Sequence, residues 1–333
     1  MLNVAVIGLG WWGRTIIGML RSSAKLKVVH AADVNASAGG WAHDHGLRFS
    51  TDIAAALADP AVQAVILATP HSLHSTQIAR AAAAKKHVFC EKPLALKRAD
   101  AAASVRLCNQ HGVVLGVGHE RRFEPPMVEL AKVAKSGALG ALLQIEASFC
   151  HNKVMNLPTD NWRQSTTEAP AGPLTATGIH LLDLSVSFLG TPESALCRTR
   201  QLGSPLANGD TLAALVSFKG GGVALINAIP ATPFAGRFTL YGSQGWAEVR
   251  DKSHPEQPTG WTLTTCAFDG TTTSVDYPAA SSVRANLEAF ADAVEGRAAY
   301  PMPQAEMIAT IAALEAVVTS SVTGAVAPAP PAP

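Results

Sequence analysis

Val4-Ala5-Val6-Ile7-Gly8-Leu9-Gly10-Trp11-Trp12-Gly13-Arg14-Thr15 is the stretch that decides how this chain is read. Val4–Ile7 predicts a buried strand, and Thr15–Leu20 predicts the body of a helix. The glycines between them are spaced G-x-G-x-x-G. Gly8 permits a tight turn, Gly10 lets the backbone approach a pyrophosphate, and Gly13 lets helix pack closely on strand. The helix N-terminus then offers free N–H groups to the anion. A bare glycine pattern is a weak signal, but this one has the strand before it and the helix after it that a dinucleotide site requires. Asp33 follows Gly13 by 20 residues, at the end of the next apolar run, Leu26–Ala32. A carboxylate there accepts hydrogen bonds from a ribose 2′-hydroxyl and repels a 2′-phosphate. NAD is therefore expected in preference to NADP, with Asn35 and Ser37 close enough to accommodate a phosphate as the alternative. Trp11 and Trp12 either cover the cofactor or pack.

Outward from this stretch, short apolar runs alternate with helical ones. A helix is expected around Ala36–His45. Val62–Thr69 precedes a helix at Thr76–Lys85, His87–Cys90 precedes one at Arg98–Gln110, and Val113–Val117 closes the set. Nearly continuous apolar strands alternating with helices imply a parallel sheet covered on both faces. The pattern changes after about residue 120. Met127–Lys135 reads as a helix ending near Gly137. After it come alternating β-branched runs at Leu142–Cys150, Ala195–Leu202, Thr211–Phe218, Val223–Ile229, Arg237–Tyr241, Trp246–Arg250, Trp261–Ala267 and Thr271–Val275, punctuated by Gly and Pro. Helices are expected again at Val283–Glu295 and Ala305–Val318. The fold class is thus α/β: an N-terminal Rossmann doubly wound parallel sheet over residues 1–120, followed over 121–326 by an α+β domain with a large, mainly antiparallel open sheet. Residues 327–333 form a Pro/Ala tail, expected to be extended or disordered.

The chain has 333 residues, 48% of them hydrophobic and 15% charged, which suits two buried cores. Its formal net charge of +1 gives no field to draw nucleic acid or an anionic membrane. The longest apolar runs, such as Ala64–Ala68, are strand-sized and too short to span a bilayer. The N-terminus runs directly into a strand, with no secretory pattern. The five cysteines lack paired spacing, which argues for a reducing, cytoplasmic setting and against a zinc site. His71 and His74 have poor spacing for a metal, and no third ligand is near, so no metal is expected.

Four further segments carry a family resemblance. Ala68-Thr69-Pro70-His71-Ser72-Leu73-His74, Glu91-Lys92-Pro93-Leu94, Gly118-His119-Glu120-Arg121-Arg122-Phe123 and Gly178-Ile179-His180-Leu181-Leu182-Asp183 follow the glycine turn in this order. With it they resemble the glucose–fructose oxidoreductase / inositol dehydrogenase (Gfo/Idh/MocA) family over roughly the first 190 residues. EKP is the most specific of these markers. The resemblance implies an NAD(P)-dependent oxidoreductase acting on CH–OH. It implies that Thr69, Pro70, His71, His74, Glu91 and Lys92 join Gly8, Gly10, Trp11, Trp12, Gly13 and Asp33 around the dinucleotide. It also implies catalytic roles for Lys92 and His180, and the family commonly has a cis bond between the Lys and Pro of EKP.

The residues fit those roles. Lys92 stands at the carboxyl end of a strand, where open α/β sheets bind ligands, and Pro93 restricts it to an extended backbone. Beside bound NAD⁺ and sheltered from water, a lysine titrates lower and suits proton exchange with a hydroxyl. His180 has an imidazole able to take the alcohol proton, although it also opens an apolar stretch where a core histidine would serve. Asp183, one helical turn on, either orients His180 or anchors the helix.

The sequence departs from the family at Ala176, four residues before the histidine, where dehydrogenating members commonly carry Asp. Thr175 and Thr177 beside it hydrogen-bond but are not general bases. Either Lys92 and His180 work without the carboxylate, or the chain is a dinucleotide-binding sensor or regulator of the same fold. His71 and His119-Glu120 are smaller departures that would face cofactor or substrate. Candidate substrate-lining groups are Lys92, His119, Arg122, His151, Asn152, Lys153, Asn161, Trp162, Arg163, Thr177 and His180. Their cationic bias suggests a carboxylated cyclic diol clamped by Arg163 or Arg122; an uncharged sugar or inositol ring held by Asn and His is the alternative. An open sheet with one apolar face is usually covered, so a homodimer or homotetramer through the C-terminal sheet is expected.

Overall fold

The computed structural model describes residues 1–158 and 160–331. They fall into two compact units, one of Met1–Glu120 with Val283–Gln304, the other of Arg121–Ser282 with Ala305 onward.

The first unit contains six strands: β1 (Leu2–Ile7), β2 (Leu26–Ala32), β3 (Arg48–Ser50), β4 (Ala64–Leu67), β5 (His87–Cys90) and β6 (Leu115–Val117). Between them run α1 (Trp11–Leu20), α2 (Ala38–Asp44), α3 (Ile53–Ala58), α4 (His74–Ala83) and α5 (Arg98–His111). All neighbours are parallel, in the order β3-β2-β1-β4-β5-β6. The chain leaves β1 toward one edge and returns to β4 on the other side. The switch point therefore lies between the carboxyl ends of β1 and β4, where a crevice forms in such sheets. β3 and α3 are not legible in the sequence: β3 has only three residues, and α3 is a run of alanines opened by the Asp52 side chain, which caps the Ala54 N–H.

The second unit begins with α6 (Pro125–Lys135) and β7 (Leu142–Cys150), followed by α7 (Ile179–Leu189) and the strands β8 (Pro192–Arg200), β9 (Thr211–Phe218), β10 (Val223–Ile229), β11 (Ala235–Gly242), β12 (Gly245–Asp251), β13 (Trp261–Ala267) and β14 (Thr272–Tyr277). After α8 (Ser282–Val294) come α9 (Gln304–Thr323) and a short strand, β15 (Ala327–Pro328). The nine-stranded sheet runs β14-β13-β12-β11-β7-β10-β9-β8-β15 and is antiparallel except for the β10–β7 pair. Inward residues of β7–β13 pack with α7 and α9 into one core that includes Ile145, Phe149, Leu182, Phe218, Phe238 and Leu314.

Three expectations change. The continuous second domain expected over 121–326 includes Val283–Gln304, which the structure returns to the first unit. There Leu287 and Phe290 of α8 join the core of the parallel sheet, Phe290 meeting Phe89 edge-on at 5.7 Å. An amphipathic helix does not record in its own sequence which sheet it will cover. The Pro/Ala tail is not wholly outside the fold: Ala327 and Pro328 pair with Ala195 and Ser194 at the sheet edge, while residues 332 and 333 of that tail lie outside the described residues. Finally, α9 is long and apolar enough to cross a membrane by length and composition, contrary to the expectation that every apolar run is strand-sized. Half of its most apolar window is buried, and Ala313, Leu314, Ala316 and Val317 lie in the core. It is a core helix.

Candidate functional site

The candidate residues fall into two sets, one in each unit. In the first, Gly8 ends β1 with φ +96°, a region side chains rarely adopt, and a Cβ there would stand 2.6 Å from the Ala68 carbonyl oxygen. A Cβ at Gly13 would stand 1.9 Å from the Gly8 carbonyl oxygen. Both glycines are demanded by the chain itself. At Gly10 a Cβ meets no protein atom within 4 Å, so the case for glycine there rests on room for a ligand. Gly10 is also the N-cap of α1 and makes no side-chain cap, which leaves the first-turn N–H groups to an anion. Leu9, Gly10, Trp11, Arg14 and Thr15 line an open concavity at this end. Arg14 donates Nε–H to the Leu9 carbonyl at 2.9 Å and lays its guanidinium over Trp41. Trp11 is 57% exposed and leans on Trp12 with ring centroids 5.3 Å apart.

Asp33 closes the turn from the other side. One carboxylate oxygen accepts the Leu9 N–H at 2.6 Å, and the other accepts the Asn35 N–H at 2.8 Å. The charge is thereby fixed at the carboxyl end of β2, beside the glycine turn. These residues fit a dinucleotide: uncapped N–H groups for a pyrophosphate, and an oriented carboxylate for a ribose diol.

β4 and β5 supply the next pieces. Thr69 donates its hydroxyl to Gln77 at 2.6 Å. His71 is buried, its ring 5.9 Å from that of His74. His74 has no exposed surface; its Nδ1 lies 2.8 Å from the Pro93 carbonyl oxygen and its Nε2 3.0 Å from that of Thr69. His74, expected beside the dinucleotide, thus has both ring nitrogens at carbonyls of the protein. Glu91 is also turned inward. Its carboxylate occupies the space a Cβ on Gly118 would take, and it accepts the Lys92 N–H at 3.3 Å. Lys92 is half-buried, and the Lys92–Pro93 bond is cis. His119 is buried just beyond β6.

In the second unit, residues Leu174–Gly178 form a turn of π-helix that leads directly into α7. Such turns recur at functional sites, and the sequence carries no signal for one. Thr175 donates its hydroxyl to the Gly172 carbonyl and Thr177 to that of Pro173. Both hydroxyls thus serve the backbone around Ala176. His180 follows on the first turn of α7, buried, with its ring 6.1 Å from Phe149.

Arg122 is held by carboxylates of its own unit. Asp183 grips it with Nε–Oδ2 at 2.6 Å and Nη2–Oδ1 at 2.7 Å, and Glu306 takes a third contact. Burial works against its charge, but Asp183 and Glu306 outweigh that and raise its pKa. The expected substrate clamp thus already carries an ion pair within the protein, and Asp183 anchors α7 through it, with Thr310 donating to the same carboxylate. Neighbouring Arg121 is likewise held by Glu124 and Asp251, beneath the Phe149 ring.

The loop after β7 brings its candidates together. Lys153 pairs with Glu256 and meets His254 Nδ1 at 3.1 Å; the His254 ring stands 4.9 Å from that of His151. The Arg163 guanidinium lies 4.2 Å over the Trp162 ring. Asn208 holds this loop by donating to the Arg163 and Ala169 carbonyls at 2.8 and 2.9 Å. His254, Glu256 and Asn208 have no signal in the sequence, since each acts on residues distant in the chain. Among the described residues no cluster of three or more His, Cys, Asp or Glu is placed to hold a metal.

Residues 2–119 match the model of the oxidoreductase family GFO_IDH_MocA, NAD-binding Rossmann fold, and residues 127–248 match that of the GFO/IDH/MocA C-terminal domain. The chain belongs to the GFO/IDH/MocA oxidoreductase family. Its relatives include the 1,5-anhydro-D-fructose reductase of Ensifer adhaerens, 27% identical over 97% of this chain and 96% of that one. Another is the D-xylose 1-dehydrogenase (NADP(+)) 2 of Haloferax volcanii, 27% identical over 81% of this chain and 82% of that one. Among solved structures, GenD2 from gentamicin A biosynthesis in complex with NAD superposes with a TM-score of 0.84 at 25% identity, covering 99% of this chain and 97% of that one. This GFO/IDH/MocA member is an NAD(P)-dependent oxidoreductase, and Gly8–Gly13, Asp33, Thr69 and Lys92 lie in the matched N-terminal segment.

Proposed function

We propose that the protein moves a hydride between nicotinamide and a secondary alcohol of a cyclic polyol or sugar, using NAD in preference to NADP, with Lys92 and His180 in proton transfer. The observation that carries the cofactor preference is the Asp33 carboxylate, fixed by two backbone N–H groups where an adenosine ribose would present its diol. A 2′-phosphate there would meet a held negative charge. When bound, the nicotinamide accepts or returns the hydride. The chain's own residues do the rest. Gly10 and the first turn of α1 receive the pyrophosphate, and Thr69, Pro70 and His71 border the same switch point. Neutral Lys92 takes the hydroxyl proton as the alcohol becomes a carbonyl and returns it in the reverse direction. His180 assists at the substrate, and Thr177, Trp162, Arg163 and His119 are the further groups proposed to bind it.

A neutral ring is favoured over a carboxylated diol because Arg122 and Lys153, two of the expected cations, are already held by carboxylates. Arg163, stacked on Trp162, is the group that would support the acidic substrate. The experiment is an NAD⁺ reduction screen over neutral sugars, inositols and carboxylated cyclic diols. Turnover on a neutral ring supports the reading. No turnover with tight NADH binding points to a sensor, the role that Ala176 raises.

The open sheet face supports a homodimer or homotetramer. Leu196, Leu215 and Leu225 are exposed and stand in register across β8, β9 and β10. Leu215→Glu is expected to shift sedimentation velocity from oligomer to monomer. The five cysteines are free thiols, which fits a cytoplasmic setting.

A further inference from the structure

β4 and β5 are parallel neighbours whose last paired residues are Leu67 and Cys90, with one further rung from the Glu91 N–H to the Leu67 carbonyl. Beyond that rung each chain meets a proline, Pro70 on one side and Pro93 on the other. A proline has no N–H to donate, so the ladder cannot continue. These two segments nevertheless carry Thr69 and Lys92. What bridges them is the ring of His74, which is fully buried and lies 2.8 Å from the Pro93 carbonyl and 3.0 Å from the Thr69 carbonyl. Both oxygens are acceptors only. The ring serves both contacts fully when each nitrogen carries a proton, and one at a time when it is neutral.

We propose that His74 is a positioning residue that sets the distance between Lys92 and the cofactor-facing turn at Thr69-Pro70. The inference rests on the proposed roles of Lys92 and the dinucleotide turn. The Nδ1 arm pins the carbonyl of Pro93, the residue after Lys92, so it governs the placement of the amine. The Nε2 arm pins Thr69, so it governs the turn beside the glycine loop. A ring that only fills space would have no such division between its two sides.

Two substitutions separate the arms. His74→Asn places its amide nitrogen where Nδ1 stands and keeps the Pro93 contact; His74→Gln places its amide nitrogen where Nε2 stands and keeps the Thr69 contact. Two readouts on the intact protein report on them: NADH affinity by fluorescence titration, and the rate at which acetic anhydride acetylates Lys92 across pH, read by peptide mass spectrometry. In His74→Gln the Lys92 acetylation profile is expected to change about threefold to tenfold, the worth of one hydrogen bond, with NADH affinity within about twofold. In His74→Asn the pattern is expected to reverse. Equal movement of both readouts in both variants, or no movement in either, would overturn the proposal and leave a packing role. Should neither variant fold, hydrogen exchange on the unliganded wild type decides: opening of peptides 69–74 and 91–94 at matched rates across pH supports the bridge, and independent rates refute it. Absence of NADH binding in the wild type would sink the nicotinamide reading instead. The Lys92 profile needs no dinucleotide and then tests the bridge by itself.

Discussion

The two units build their candidate residues from different materials. The first uses backbone: glycines whose Cβ would strike a carbonyl, uncapped N–H groups on α1, and carbonyls held by His74. The second uses side chains, and most of its charges are already matched. Arg121 faces Glu124 and Asp251, Arg122 faces Asp183 and Glu306, and Lys153 faces Glu256. A residue required by backbone geometry keeps its meaning wherever the motif appears. The meaning of a charged residue depends on which opposite charge the fold brings to it. Residue type alone therefore reads a glycine turn, whereas the reading of a charged residue waits on its partners.

The largest expected effect tests the backbone side. Gly13→Val forces a branched side chain into the Gly8 carbonyl and is expected to cost more than about 4 kcal/mol. Loss of soluble protein, or of all NADH binding, would be the result; a folded variant with wild-type NADH affinity would break the comparison. Arg122→Met tests the side-chain set. It removes the guanidinium that neutralises buried Asp183 and is expected to cost about 3–5 kcal/mol, read as a lower thermal midpoint. An unchanged midpoint with a raised KM would point to Arg122 as a substrate clamp.

Acid stability gives an intermediate effect. Burial pushes the Asp210 carboxyl up, but the N–H groups of Gly203 and Leu202 and the hydroxyls of Ser204 and Thr211 outweigh it and hold its pKa below the ordinary 3.8. Its stabilisation is thus complete above that unfolded value and is lost as pH falls through the lower folded one. Asp210→Asn is expected to cost about 1–2 kcal/mol at neutral pH and to flatten the acid limb of the stability curve. An acid limb identical to the wild type's would contradict this. Arg163→Met sharpens the substrate question. KM for a neutral ring is expected to stay within about twofold, whereas a rise of about tenfold or more confined to a carboxylated diol would establish the acidic substrate. The smallest effect is at Cys90, whose thiol is pushed well up by burial, then by Glu91 and Cys108. A thiol reagent is expected to leave it unlabelled in the folded protein.

Much of this is legible in the sequence because it is local. The strand before Gly8 and the helix after Gly13 confirm the turn within a dozen residues, and β7, β9, β10 and β13 alternate clearly enough for their limits to be read directly. The pieces that escape are non-local. The π-helical turn at Leu174–Gly178 widens a helix without changing its composition. α8 covers a sheet more than a hundred residues earlier in the chain, and Arg122 meets its carboxylates at positions 183 and 306. In sequence His74 reads as a cofactor contact because its neighbours do; the two carbonyls its ring faces are visible only in the packed structure.

The central claim is that Lys92 exchanges the substrate proton beside bound nicotinamide. The most direct measurement is steady-state NAD⁺ reduction by Lys92→Met on whichever ring the wild type oxidises, with NADH affinity measured in parallel. A fall in kcat of about 10²–10⁴ with NADH affinity nearly unchanged is the expected result. A variant that turns over at the wild-type rate, or one that loses NADH binding along with activity, would contradict it.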